Sequence, residues 1–185
     1  MAIYSKHEKF TTLRTCAVGA WSLHLFGAVS RWLCQKTAVA PLKSNQTVSA
    51  CDALGQTDAT AVLGGNVTVI PGPNATQPDN SFFISNCSFA SDEARTANIL
   101  IRQAADASVI RSQFNAARSV TESLYGVKPQ ELTGIGEAAF WVGNSVNQLN
   151  ILKGGRWITI MVFGMSDDNR FSLSKSIAAR MLHRL

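Results

Sequence analysis

The sequence predicts an α+β domain, a mostly antiparallel sheet with helices packed on it, and three observations carry that prediction. Segments of strand and helix character follow one another in the order α-β-β-β-α-β-β-β-α. The strand-like runs are short and several are joined by turn residues, which favours hairpins. The two long helical segments repeat apolar residues at three and four, as helices lying on a sheet do.

Taken in order, Thr57 is placed to cap a short helix over 58–63, with Asp58 at its positive end and Gly64-Gly65 stopping it. Ala59, Val62 and Leu63 form its apolar face. Residues 66–70 are β-branched and strand-like. Residues 71–80 lack periodicity and read as a loop. Segments 82–90 and 96–104 form a hairpin around Ser91, Asp92 and Glu93. A helix over 107–123 buries Val109, Ile110, Phe114, Ala117 and Val120, leaving Arg111 and Arg118 outside. Gly126 and Pro129 end it.

Three strands follow over 137–142, 146–152 and 156–163, turned by Asn144 and by Gly154-Gly155. The last has no polar face: Trp157, Met161 and Phe163 alternate with Ile158, Ile160 and Val162. Such a strand is buried on both sides and belongs at the centre of the sheet. Asp167, Asp168 or Asn169 caps a final helix over 171–185, which buries Ile177, Ala178, Met181, Leu182 and Leu185. Arg180, His183 and Arg184 suit its negative end.

Residues 1–40 read as a signal peptide or leader, 41–50 as a linker and 51–185 as one domain. Lys6, Lys9 and Arg14 precede a 16-residue apolar run, 15–30, that is short for a membrane span of roughly 18 or more. Ala28-Val29-Ser30 and Ala38-Val39-Ala40 are the candidate cleavage sites, and an uncleaved membrane anchor is the alternative. Val48-Ser49-Ala50-Cys51 has the form of a lipobox, although polar residues separate it from the apolar run. The predicted location is periplasmic or secreted, with membrane contact only through an uncleaved leader.

The net charge of +5 sits mainly in that leader, where five Lys and Arg stand against Glu8. Beyond Ala40, twelve basic residues face eleven acidic ones, scattered singly. Nucleic-acid binding needs a concentrated positive footprint and is not expected. Of four cysteines, Cys16 and Cys34 lie in or beside the leader. Cys51 and Cys87 remain, and an even pair in an exported domain points to a disulfide. Closing that loop contributes about 4 kcal/mol in the chain-entropy model.

No catalytic or metal centre is predicted. His183 is the one histidine after the leader, and no ligand cluster has zinc-like spacing. Asp167, Asp168 and Asn169 offer oxygens for calcium but read as a helix cap. Ser172-Leu173-Ser174-Lys175 has the S-x-x-K spacing of a serine nucleophile with a lysine base, yet the partner motifs that should follow have only ten residues in which to fit. Gly134-Ile135-Gly136-Glu137-Ala138-Ala139 has the G-x-G-x-x-A pattern, but a strand follows where a dinucleotide site needs a helix. The glycines read as a tight lead into that strand. Glu137 is a lone carboxylate. Adjacent Phe140 and Trp141 must point to opposite faces, so one lies outside the main core layer. If exposed, Trp141 is the best single binding contact.

The stretches CDALGQTDATAVLG (51–64), NCSF (86–89), LTGIGEAAFWV (132–142) and LNILKGGRWITIMV (149–162) resemble a pattern in small exported bacterial proteins and lipoproteins of unknown function. Some of those domains resemble the PsbP/Mog1-like sandwich. The resemblance implies a domain that binds other proteins and does not catalyse. The expected function is a non-enzymatic exported envelope domain, without cofactor, that binds an envelope protein or a small apolar ligand. A secreted serine hydrolase using Ser172 and Lys175, or a domain tethered by an uncleaved leader, are the alternatives.

Overall fold

Alternation in two long strands sets the architecture, because every second side chain of each is apolar and finds the same side of one sheet. The computed structural model describes residues 47–76, 81–144 and 146–185. The leader over 1–40, with Cys16 and Cys34, and most of the linker lie outside the described residues. Within them the chain forms helices α1 (Ala50–Ala53) and α2 (Gln56–Leu63), then strands β1 (Val67–Pro71), β2 (Ala75–Thr76), β3 (Phe82–Ser91) and β4 (Thr96–Ala104). Helix α3 (Ala107–Tyr125) precedes β5 (Gln130–Leu132), β6 (Ala138–Val142), β7 (Gln148–Lys153) and β8 (Arg156–Phe163). Helix α4 (Asp167–Leu182) follows.

The strands make one antiparallel eight-stranded sheet in the order β1-β3-β4-β8-β7-β6-β5, with β2 also paired to β3. The α+β class is as the sequence predicts, and β8 is central. One face carries Cys87 and Phe89 of β3, Ile99 and Ile101 of β4, and Ile158, Ile160 and Val162 of β8, all at 0% exposure. Together with the short helices and Ile177, Ala178 and Met181 of α4 they form the main core. Each fully buried aliphatic side chain here contributes about 1.5–3 kcal/mol of transfer free energy.

The other face carries a second, smaller core. Ile110 and Phe114 of α3 pack on Phe140, Val142 and Leu152, with Phe82, Ala104 and Trp157 at its margin. Phe114 is the centre, edge-on to Phe140 at 5.1 Å and to Trp157 at 6.1 Å between ring centroids. The inward stripe of α3 is Ile110, Phe114 and Thr121, narrower than predicted, and Val109 and Val120 are 41% and 43% exposed. Positions 110, 114 and 121 lie on one side of a 3.6-residue helix, and 109 and 120 on its flanks. Because α3 covers only part of this face, β8 is not buried on both sides throughout. Trp157 and Met161 are half-buried and Phe163 is 40% exposed.

Several boundaries differ from expectation. Cys51 belongs to a separate one-turn helix, α1, in which Ser49 Oγ accepts the Cys51 N–H at 3.2 Å. Thr57 is not a cap. Gly55, just past the end of α1, already has the extended backbone a cap needs, so α2 starts at Gln56. The Asp58 carboxylate instead pairs with Arg180 at 3.0 Å and with Arg184, tying α2 to α4. Likewise α4 is longer at its start: Ser166 is the capping position, and Asp167 and Asp168 fill the first turn, where negative charge is favourable. The carbonyl of Leu182 at its end accepts from Lys153 at 2.9 Å. Strands β2 and β5 are two and three residues long, too short to show a period.

Candidate functional site

Two of the four stretches that carried the resemblance, 132–142 and 149–162, meet at one joint. Gly136 has φ +62°, and a Cβ there would sit 2.6 Å from the Leu152 carbonyl oxygen, so glycine is required where the chain enters β6. The Glu137 N–H donates to that same carbonyl at 2.8 Å. Its carboxylate accepts from the Gly154 N–H at 2.7 Å in the β7–β8 turn, and from Arg111 of α3. The G-x-G pattern is thus a β-lead, as read from the sequence. An open groove of about 680 Å³ lies beside it, lined by Gly136, Glu137, Lys153, Gly154, Leu182 and His183 among others. Both Glu137 and Lys153 are held by partners within the fold, which makes the groove a joint between turn and helix.

The Gly154 amide, and then Arg111, hold the Glu137 carboxyl below its ordinary 4.5. A carboxyl with a depressed folded pKa stabilises the fold above the unfolded value, and that contribution disappears as pH falls through the folded value. Glu137→Gln is therefore expected to be less stable than the parent at pH 7. The gap should close as the pH drops below 4.5. Urea unfolding across that range is the measurement, and a gap unchanged at low pH would assign the effect to shape and not charge.

A second arrangement lies on the face that α3 leaves open. Antiparallel register sets side chains in rows across the strands. One row runs Ile84, Arg102, Trp157, Leu152. The next runs Asn86, Leu100, Thr159, Asn150, Phe140. A third runs Ile70, Ser88, Asn98, Met161, Gln148. Where the rows meet α3 they are sealed; beyond Arg102, Leu100 and Met161 are half-buried and belong to neither hydrophobic cluster.

At that boundary Trp157 Nε1 donates to Asn150 Oδ1 at 3.0 Å, and the Thr159 hydroxyl lies 3.3 Å from the same oxygen. Asn150 is 1% exposed, so it fixes the ring and not a ligand. The Arg102 guanidinium lies 4.2 Å over the Trp157 ring and donates to Thr159 Oγ1 at 3.3 Å. Burial pushes its pKa down. None of the ion pairs among the described residues includes Arg102. The side-chain oxygens of Asn86 and Asn98, on the neighbouring rows, are buried without a hydrogen-bond partner.

The residues singled out from sequence fall elsewhere. Cys51 and Cys87 form a disulfide with Cα atoms 5.2 Å apart, joining α1 to β3. Trp141 is not a surface contact: it is 7% exposed and packs on Phe171 at 5.1 Å. Both faces of the sheet carry a core, so Phe140 and Trp141 are each covered, by α3 and α4 respectively. Ser172 is exposed, and the Lys175 ammonium lies 4.3 Å over the Phe171 ring. Asp167 pairs with Arg170 at 3.0 Å. Among the described residues, no group of three His, Cys, Asp or Glu is placed to hold a metal, and no helix is long and apolar enough to cross a membrane. Arg102 and Asn150 were missed. Their signal was faint: a charge inside NILIRQA and an amide inside LNIL, each beside apolar neighbours.

No family model matches the chain, and no curated protein matches it. Among solved structures, the chain is similar to the extracellular domain of PknH from Mycobacterium tuberculosis at 9% identity, with a TM-score of 0.47. The match covers 77% of this chain and 98% of that one.

Proposed function

We propose that this chain is an exported, non-enzymatic domain that binds an envelope protein through the half of the sheet that α3 leaves uncovered. The observation that carries the reading is the half-covered face, where Leu100 and Met161 are half-buried yet belong to neither hydrophobic cluster. A sheet face is flat on the scale of a side chain, and small molecules bind in concave sites. That favours a protein over the small apolar ligand. Export, to the periplasm or the medium, is supported by the Cys51–Cys87 disulfide, since such bonds persist in oxidising compartments.

The test pairs Leu100→Lys with Met161→Lys. Neither side chain is in a core, so the double variant should melt within a few degrees of the parent. It is expected to lose an envelope protein that the parent retains after cross-linking in the native host; unchanged retention would refute the reading. The non-enzymatic part has its own check. An acylating serine probe should leave the protein unlabelled, whereas labelling abolished by Ser172→Ala would establish a nucleophile there.

A further inference from the structure

Charge complementarity narrows what the open face binds. A guanidinium has five N–H donors arranged in a fork that matches a carboxylate. Among the described residues Arg102 uses one of them, on the neutral hydroxyl of Thr159. Its aliphatic stem lies between Ile84 and Trp157 in the row, and the ring beneath it is clamped by Asn150 and Phe114. The guanidinium is therefore held in place on a rigid platform, half-buried, with no countercharge among the described residues.

A partly desolvated charge without a partner is destabilising, and a leucine or methionine would cover Trp157 without that cost. The arrangement is explained when the countercharge arrives from outside. Beyond Arg102 the rows offer Leu100 and then Met161, with Ile70 50% exposed and Phe163 40% exposed farther along. The Met161 row lies four residues from Arg102 along β4, about 13 Å in a strand. The buried, unpartnered amide oxygens of Asn86 and Asn98 lie on the same stretch.

The geometry points to an acidic segment of the partner protein as the occupant. One carboxylate is clamped by the Arg102 fork over Trp157, and the apolar side chains beside it lie on Leu100 and Met161. The inference rests on the reading of this face as the binding surface and adds the chemistry of what binds. An extended segment with glutamate at one position and apolar residues two and four positions along suits it, because every second side chain of such a segment points to the same side.

The test follows the Trp157 indole N–H by NMR in the intact domain. The probes are a short capped peptide with glutamate at one position and leucine two and four positions along, serine filling the positions between, its twin with glutamine for glutamate, and acetate. A saturable shift is expected with the glutamate peptide at millimolar or lower concentration, and weakening of about tenfold or more is expected in Arg102→Gln, the loss of a charge-assisted pair. The glutamine twin should bind no better than glutamate peptide binds the variant. Arg102→Lys, which keeps the charge but loses the fork, should fall between. Equal binding of both peptides, an unchanged affinity in Arg102→Gln, or no saturable shift with any probe up to about 20 mM would overturn the inference. These outcomes separate from the parent reading: if Leu100→Lys/Met161→Lys abolishes partner capture while the two peptides are indistinguishable, the face binds but not through a carboxylate.

Discussion

Replacing Cys51 and Cys87 together by alanine is expected to lower the melting temperature by about 10–20 °C. The bond closes a separation of 36 residues, which in the chain-entropy model contributes about 4 kcal/mol by restricting the unfolded chain. Each kcal/mol corresponds to roughly 2–8 °C for domains on either side of this size. Cys87 is also 0% exposed within the main core, so removal of both sulfurs adds a small packing loss. Calorimetry of parent and variant, each with and without reductant, is the measurement. Reductant should shift the parent toward the variant and leave the variant unmoved. A variant within about 3 °C of the parent would mean that α1 and the strands between the two cysteines are already ordered in the unfolded ensemble.

Phe114→Ala is expected to cost about 3–5 kcal/mol, the range for emptying a buried aromatic site. Phe114 is fully buried and is the ring through which α3 contacts both Phe140 and Trp157. Val120→Ala, six residues along the same helix but 43% exposed, should stay within about 0.5 kcal/mol. Urea unfolding of the pair separates docking of α3 from its intrinsic helicity, since both changes give alanine. The loss should also be visible at Arg102, because the Trp157 ring beneath that guanidinium loses its edge-on neighbour. A small effect, below about 1 kcal/mol, would mean that α3 does not rest on this face.

Much of the fold could be read residue by residue. The alternation in Cys87, Phe89 and in Ile99, Ile101 marks one buried side of a hairpin, and the two-faced apolar run 156–163 marks a central strand. Both follow from the two-residue period of a strand. The expected stripe of 109, 110, 114, 117 and 120 is too wide because periodicity locates the middle of an apolar face and not its edges. Trp141 was misjudged for a related reason. Parity sets Phe140 and Trp141 on opposite sides, but only the packing of α3 on one side and α4 on the other shows that both are covered.

The candidate site was not legible at all. Arg102, Trp157, Thr159 and Asn150 come from β4, β8 and β7, and are neighbours only through pairings across chain separations as large as 57 residues. A single arginine in a strand has no motif. What distinguishes Arg102 is that none of the ion pairs among the described residues includes it, which is a property of three-dimensional placement.

The disulfide also determines how the domain carries a pulling load. Tension applied from the N-terminal side reaches Cys51 and passes across the sulfur bridge into Cys87 of β3, whose two edges are both paired within the sheet. The intervening chain, including α2 and the edge strands β1 and β2, is bypassed and stays slack. Peeling an edge strand breaks its hydrogen bonds one after another, whereas dragging β3 along its neighbours strains many at once. The bridge therefore moves the point of attack from the weakest border of the sheet to an interior strand, two places from its centre.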